Sequence, residues 1–210
     1  DKLDNLVGFY LINEKPTSSK DPFALRRSAI GLLRTIIENN LVIKISDLID
    51  YFTRIYLEQG VQEKNTQLKK ELMTFLRERM KNILKEKKVR TDIIEASISS
   101  HTNDNFLELY KKTLIKNKFI SKELGKNAVS TYKRASSILE QEKLELKNGP
   151  DAVLFKEEEE KELFERINII RKAFTIKEDR KNYEEHLKLL SDTKLSTDKF
   201  FEKVKVNDDN

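Results

Sequence analysis

The sequence predicts an all-α protein, and three observations carry that expectation. Five Gly and three Pro in 210 residues leave little turn chemistry for a β-rich fold. Charged residues make up 37% and hydrophobic ones 38%, with long stretches drawn from Lys, Glu, Leu and Ile, all compatible with helices. Apolar residues also recur at i, i+3 and i+4 through most of the chain. The length suits one large or two small domains with a real core. With no cysteine there is no disulfide framework and no thiolate metal site, which fits the reducing cytoplasm. No run of about eighteen apolar residues exists to span a membrane. The chain starts at Asp1 without a methionine or signal pattern and stops abruptly at Asp208-Asp209-Asn210, so both ends read as cuts in a longer protein.

Leu3, Leu6, Val7, Phe9, Tyr10, Leu11 and Ile12 predict a short buried helix, followed by a polar loop over Asn13–Lys20. Asp21 and Pro22 then read as the cap and first residue of a helix. Leu25, Ala29, Leu32, Leu33, Ile36 and Ile37 set its apolar side, Phe23 joins them, and Asn39-Asn40 offers a stop. Arg27, Gly31 and Arg34 fall on its polar face, where Gly31 would let another backbone or a phosphate approach. Ser46 is placed to cap a helix running to about Glu58, with Leu48, Phe52, Ile55 and Tyr56 inward and Gly60 as its stop.

From Thr66 to Lys87 the spacing predicts a long amphipathic helix, with Leu68, Leu72, Phe75, Leu76, Met80, Ile83 and Leu84 on one side. Its lysine-rich opposite face is also compatible with a membrane surface, but Glu71, Glu78 and Glu86 interrupt it and favour a domain helix. Asp92 with Glu95 forms a capping pattern for a helix over Ile93–Ser99. The polar cluster Ser99–Asn105 is the first stretch long enough to be a boundary.

Beyond it, Phe106, Leu109, Tyr110 and Leu114 predict a helix crowded by Lys111, Lys112, Lys116, Lys118 and Lys122. The next helix, Ser121 to about Lys147, places Ala128, Tyr132, Ala135 and Leu139 on one stripe and ends at Asn148-Gly149-Pro150. The acidic run Lys156–Glu162 reads as the solvated first turns of a helix, where negative charge is favourable and no ligand is needed. Leu163, Ile167, Ile170 and Phe174 then point inward, leaving Arg166, Arg171 and Lys172 less buried. A last helix contains Tyr183, Leu187 and Leu190.

Charge is unevenly spread. Residues 1–60 carry eight Lys/Arg against eight Asp/Glu, residues 61–150 twenty against twelve, and residues 151–210 thirteen against sixteen. A basic middle is a weak footprint for a polyanion, and equally the surface of a charge-rich helical protein.

Three groups of residues point to a family. Asp1–Phe9 followed by Lys20-Asp21-Pro22-Phe23-Ala24-Leu25-Arg26-Arg27 resembles the beta subunit of the bacterial heterotetrameric glycyl-tRNA synthetase in order and spacing. Lys133-Arg134-Ala135-Ser136-Ser137-Ile138-Leu139 resembles the segment that opens that subunit's anticodon-binding domain, which is similar to the one in arginyl-tRNA synthetase. Here Ser137 stands where the family has Asn. Asp198–Val206 is similar to the family's "Asp-Phe-Phe-Asp-x-Val-x-Val" signature, with Glu202 as the acid.

The resemblance implies that residues 1–102 are the C-terminal part of a helical HD-like domain. It implies that residues 103–210 are an α-helical anticodon-binding (DALR-like) bundle lacking its last helix. It implies a tRNA-recognition role in attaching glycine to tRNA-Gly, in a hetero-oligomer of two alpha and two beta subunits. ATP and Mg would be used by the holoenzyme with the alpha subunit, and no catalytic site or cofactor is expected in this chain.

No Gly-rich phosphate loop, Cys/His cluster or nucleophile–base pattern is present. HD-type metal chemistry needs a His beside a His-Asp pair, yet His101 and His186 are the chain's two histidines, neither followed by Asp. A surface or half-buried place is expected for both. The candidate tRNA contacts are Lys126, Asn127, Lys133, Arg134 and Arg171, joined by Arg26 and Arg27. Tyr132 is weighed with them but reads better as core. Arg26 and Arg27 would equally lock their helix through carboxylate pairs. A second reading makes the chain a connector and subunit interface with weak RNA contact. A third, a free-standing HD-type hydrolase, founders on the missing His-Asp pair.

Overall fold

The computed structural model describes residues 1–17, 19–101, 103–142, 149–175 and 180–204. Among them are nine α-helices and no strand: α1 Lys2–Leu11, α2 Leu25–Glu38, α3 Ile45–Glu58, α4 Leu68–Glu86, α5 Thr91–Ser100, α6 Phe106–Ile120, α7 Glu123–Glu142, α8 Glu158–Thr175 and α9 Arg180–Lys203. The chain divides into two compact units, Asp1–Leu114 and Ile115–Asn210, and the division falls inside α6.

The first unit owes its core to α4. Leu72, Leu76, Met80 and Leu84 recur every four residues and are fully buried. Around them close Leu6 and Leu11 of α1, Leu33 and Ile36 of α2, Ile49 of α3 and Ile94 of α5. This burial makes α4 a domain helix. Its polar face is pinned by Lys69 to Asp50 at 2.5 Å and Lys81 to Glu95 at 2.7 Å. The loop before α4 is held by buried Asn65, whose amide donates to the Tyr10 carbonyl at 3.2 Å and to Glu71 at 2.8 Å. Lys15 reaches the same carboxylate at 2.9 Å, and these two hydrogen bonds hold the Glu71 carboxyl below its usual range.

Four helix ends in this unit share one device. Asn13, Asn40, Gly60 and Lys88 all take positive φ immediately after α1, α2, α3 and α4. In each case the following N–H reaches back five residues, for example Leu41 to the Ile36 carbonyl at 2.9 Å and Val61 to Tyr56 at 3.0 Å. Asn39-Asn40 and Gly60 are the stops expected from sequence. Lys88 is not a residue that favours this conformation, yet Val89 donates to Leu84 across it at 3.2 Å. Lys88→Gly is therefore expected to stabilise the chain by about 1 kcal/mol, read as a raised midpoint in denaturant with unchanged slope.

Helix starts differ from expectation. Asp21 and Pro22 do not open α2: residues Asp21–Ala24 form a turn, with Ala24 at φ 52°, and the helix begins at Leu25. Asp21 still caps it from outside, accepting from the Leu25 and Arg26 amides at 2.8 and 3.1 Å. Phe23 is not buried with the α2 stripe; its ring stacks on Phe9 at 4.0 Å and stays 43% exposed. Ser46 does not cap α3 either. It lies within the first turn of α3, and its amide donates to Asp104 at 2.9 Å, with its hydroxyl on the same carboxylate. At α5 the expected capping pair is also absent: Asp92 grips Arg90 at 2.6 Å and Glu95 is committed to Lys81. Gly31 does not offer an open approach, because the Lys2 side chain lies over it, 2.8 Å from where a Cβ would stand. On the same face Arg34 is taken up by Glu86 at 2.8 Å.

In the second unit, Ile115 and Phe119 of α6 pack with Tyr183, Leu187 and Leu190 of α9. α9 also packs along α7 and along α8. Beyond Tyr183, His186 and Leu187 its buried residues are small and polar: Ser191, Ser196 and Thr197 are buried, and Ser191 and Ser196 return their hydroxyls to the helix's own carbonyls. The α7 stripe is correspondingly rotated from expectation. Ala128, Thr131, Ala135 and Ile138 are half-buried, whereas Tyr132 and Leu139 face out. On α8, Ile167 and Phe174 are likewise exposed, and Arg166 is half-buried in their stead. His186 is not a surface residue: it is buried with its ring 4.9 Å from that of Phe174.

The acidic start of α8 is not simply solvated. Glu160 accepts from the Lys156 and Glu157 amides, both at 2.8 Å, while Glu159 and Glu162 pair with Lys203 and Lys199 of α9 at 2.7 and 3.1 Å. α9 runs unbroken from Arg180 through Asp198-Lys199-Phe200-Phe201, so that signature is helical as far as Lys203. The expected end of α7 near Lys147, the Asn148 stop and the tail from residue 205 lie outside the described residues.

Candidate nucleic-acid interface

α7 organises the second unit's candidate surface. Lys122 ends the connection from α6, and its carbonyl accepts from the Lys126 amide at 3.1 Å, so the helix starts with its lysines one turn apart. Lys126, Val129, Ser130 and Lys133 then share the outer face. Lys126 is mostly exposed and lies 3.8 Å from Glu123, a loose contact that leaves the ammonium available. Lys133 is exposed and, among the described residues, makes neither an ion pair nor a hydrogen bond. Beside it Tyr132 is 72% exposed. Sequence reasoning took Tyr132 for core because it shares a helical stripe with Ala128 and Ala135. In the structure that stripe is split: Ala128 and Ala135 are half-buried while Tyr132 and Leu139 face out.

The other sequence candidates are placed differently. Arg134 turns to α9, with its guanidinium 4.4 Å from the Phe201 ring and 3.5 Å from Asp198. Asn127 lines an open groove with Arg166, Asp192, Lys194 and Asp198, a floor of mixed charge. Arg171 is exposed on α8. Arg26 and Arg27 belong to the first unit. Arg26 holds the preceding loop through the Thr17 carbonyl and lies 3.9 Å from Asp21, the locking role expected of it as an alternative. Arg27 is exposed and, among the described residues, unpaired. Lys126 and Lys133 are thus brought together on one face of α7, and Tyr132 is exposed on the adjoining side. Asn127 is half-buried and Arg134 leans onto α9, Arg171 is on α8, and Arg26 and Arg27 belong to the first unit.

Sequence reasoning noted Lys118 and Lys122 only as part of a crowded neighbourhood and passed over Lys188. These three line one cleft with Ile115, Phe119, Leu124 and Leu187. In the first unit, burial lowers the His101 pKa, but among the described residues no three His, Asp or Glu side chains converge as a metal-ligand set. Among those residues, too, no helix is long and apolar enough to cross a membrane.

A helical unit with a basic outer face is what an anticodon-binding domain of the aminoacyl-tRNA synthetases requires, and residues 128–210 match the family described as DALR anticodon binding domain. Residues 1–99 match the glycyl-tRNA synthetase beta subunit family. The chain belongs to that family. It is 36% identical over 208 residues to the glycine–tRNA ligase beta subunit of Rickettsia africae, covering 99% of the chain and 30% of that protein. With the corresponding subunit of a Ruegeria species the identity is 31% over 214 residues, covering all of the chain and again 30% of the relative. The chain thus spans less than a third of the length of these relatives, and the likeness runs from one end of it to the other.

Proposed function

We propose that this chain is the tRNA-recognition part of a glycine–tRNA ligase beta subunit. It supports the ATP- and Mg-dependent attachment of glycine to tRNA-Gly, catalysed in the cytoplasm with an alpha subunit in a two-alpha, two-beta assembly. The observation that carries the reading is the exposed side of α7, where Lys133, unpaired among the described residues, and loosely held Lys126 share one face and Tyr132 is exposed next to Lys133. Lysines hold phosphates, while an exposed aromatic ring stacks an unpaired base, the combination by which single-stranded loops of RNA are bound. Arg134 serves here chiefly to hold α7 on α9, and Arg171, Arg26 and Arg27 are secondary contacts.

The test is tRNA affinity of the intact protein as a function of salt. Lys126→Glu with Lys133→Glu is expected to weaken binding at least tenfold and to flatten the slope of log K against log salt by about 1.5. Unchanged affinity and slope would remove α7 from the binding surface. A second reading, a subunit-interface module, draws on the aliphatic side chains exposed on this unit, Val153, Leu154 and Leu195 foremost. Under it, Val153→Asp with Leu154→Asp impairs assembly while leaving tRNA affinity unchanged.

A further inference from the structure

Three lysines outside the α7 face converge on an apolar cleft. The cleft is open to solvent and lies where the end of α6 meets the turn into α7 and the first half of α9. Its floor is Ile115, Phe119, Leu124 and Leu187, and Lys118, Lys122 and Lys188 stand around it with Glu184 as its one carboxylate. Among the described residues none of those three ammoniums has an ion-pair partner, Glu184 included. A rim with an excess of positive charge around an apolar floor suits a flat apolar group flanked by anions. Lys122 also precedes Lys126 by one helical turn, so the rim runs directly onto the outer face of α7.

We propose that this cleft receives one unstacked base of single-stranded RNA on its apolar floor, with Lys118, Lys122 and Lys188 on the flanking phosphates. The inference rests on the tRNA-binding reading above and extends the contact surface from α7 to α6 and α9. Lysine is a flexible point charge that follows phosphates without demanding a fixed geometry. Base stacking on an apolar or aromatic platform supplies the uncharged part of such binding.

The experiment compares Lys118→Gln/Lys122→Gln/Lys188→Gln, the floor variant Leu124→Asp and the α7 variant Lys126→Glu/Lys133→Glu in the intact protein, with far-UV circular dichroism melts as folding control. tRNA carrying 4-thiouridine in its single-stranded loops serves both for affinity titrations in salt and for photocrosslinking. The triple lysine variant is expected to flatten the salt slope by about 2, since each single-strand phosphate contact contributes about 0.7. Leu124→Asp, at an already half-exposed position, is expected to abolish crosslinks to α6 and α9 peptides at unchanged melting temperature. Unaltered affinity and slope in the triple variant, with the α7 variant impaired, overturns the cleft alone. Loss of effect in both variants overturns the tRNA-binding reading itself. Should a poly-glutamate peptide lose affinity in the triple variant while tRNA does not, the cleft takes an acidic protein segment and the proposal fails.

Discussion

Gly125→Ala is expected to destabilise the second unit by about 3 kcal/mol, the upper end of what overpacking costs. A Cβ at Gly125 would stand 2.3 Å from the Phe119 carbonyl oxygen and 2.5 Å from the Ile120 Cα. Both obstacles are backbone, so no rotamer change relieves them, and α7 would have to lift off the end of α6. That movement would also open the Phe119 contact with the α9 cluster. Gly31→Ala is the control. Its Cβ meets only the far end of the Lys2 side chain, which swings aside. Replacing a mid-helix glycine there recovers up to about 1 kcal/mol of helix propensity. Two glycine-to-alanine changes in helices therefore have opposite signs, and a pair of thermal melts reads them directly.

Asp104→Ala is expected to cost about 2 kcal/mol, at the top of the range for a lost helix cap. Its carboxylate, fifty-eight residues from Ser46 in sequence, takes both the amide and the hydroxyl of that residue and so completes the first turn of α3. Burial pushes the Asp104 carboxyl up, but the two hydrogen bonds from Ser46, with Asp104's own backbone amide and the Lys44 charge, together hold the pKa below the ordinary value. A carboxyl depressed in the folded state stabilises above its unfolded pKa and loses that contribution as pH falls through the folded one. The gap between wild type and Asp104→Ala should therefore be full at neutral pH and narrow below about pH 4. A gap that stayed constant into the acid range would mean that the carboxylate charge is not what caps α3.

Much of the helical plan is legible in the residues. The period of Leu68, Leu72, Leu76, Met80 and Leu84 identifies α4 because a stripe with no gaps can be buried only as one helix face. Asn39-Asn40 and Gly60 mark their helix ends because few other residues take positive φ at low cost. Family membership is legible in Asp21–Arg27, although Asp21–Ala24 form a turn that caps the helix from outside and α2 begins only at Leu25. The caps are less legible, since a Ser or Asp near a helix start announces a hydrogen bond without saying with whom. Asp104 finding Ser46 and Glu95 finding Lys81 are choices made by the packing of distant segments.

The candidate site divides the same way. By itself the sequence determined an all-α chain, its family and a basic stretch on which Lys126 and Lys133 stand, because periodicity and charge are local properties. Only the tertiary structure decided that Tyr132 faces out and that Arg134 leans onto α9, since the Phe201 ring and Asp198 carboxylate that receive its guanidinium lie sixty-four or more residues away in sequence. The gathering of Lys118, Lys122 and Lys188 around one cleft was likewise fixed by packing: sixty-six residues separate Lys122 from Lys188, and only the burial of Tyr183 and Leu187 against Ile115 brings their helices together.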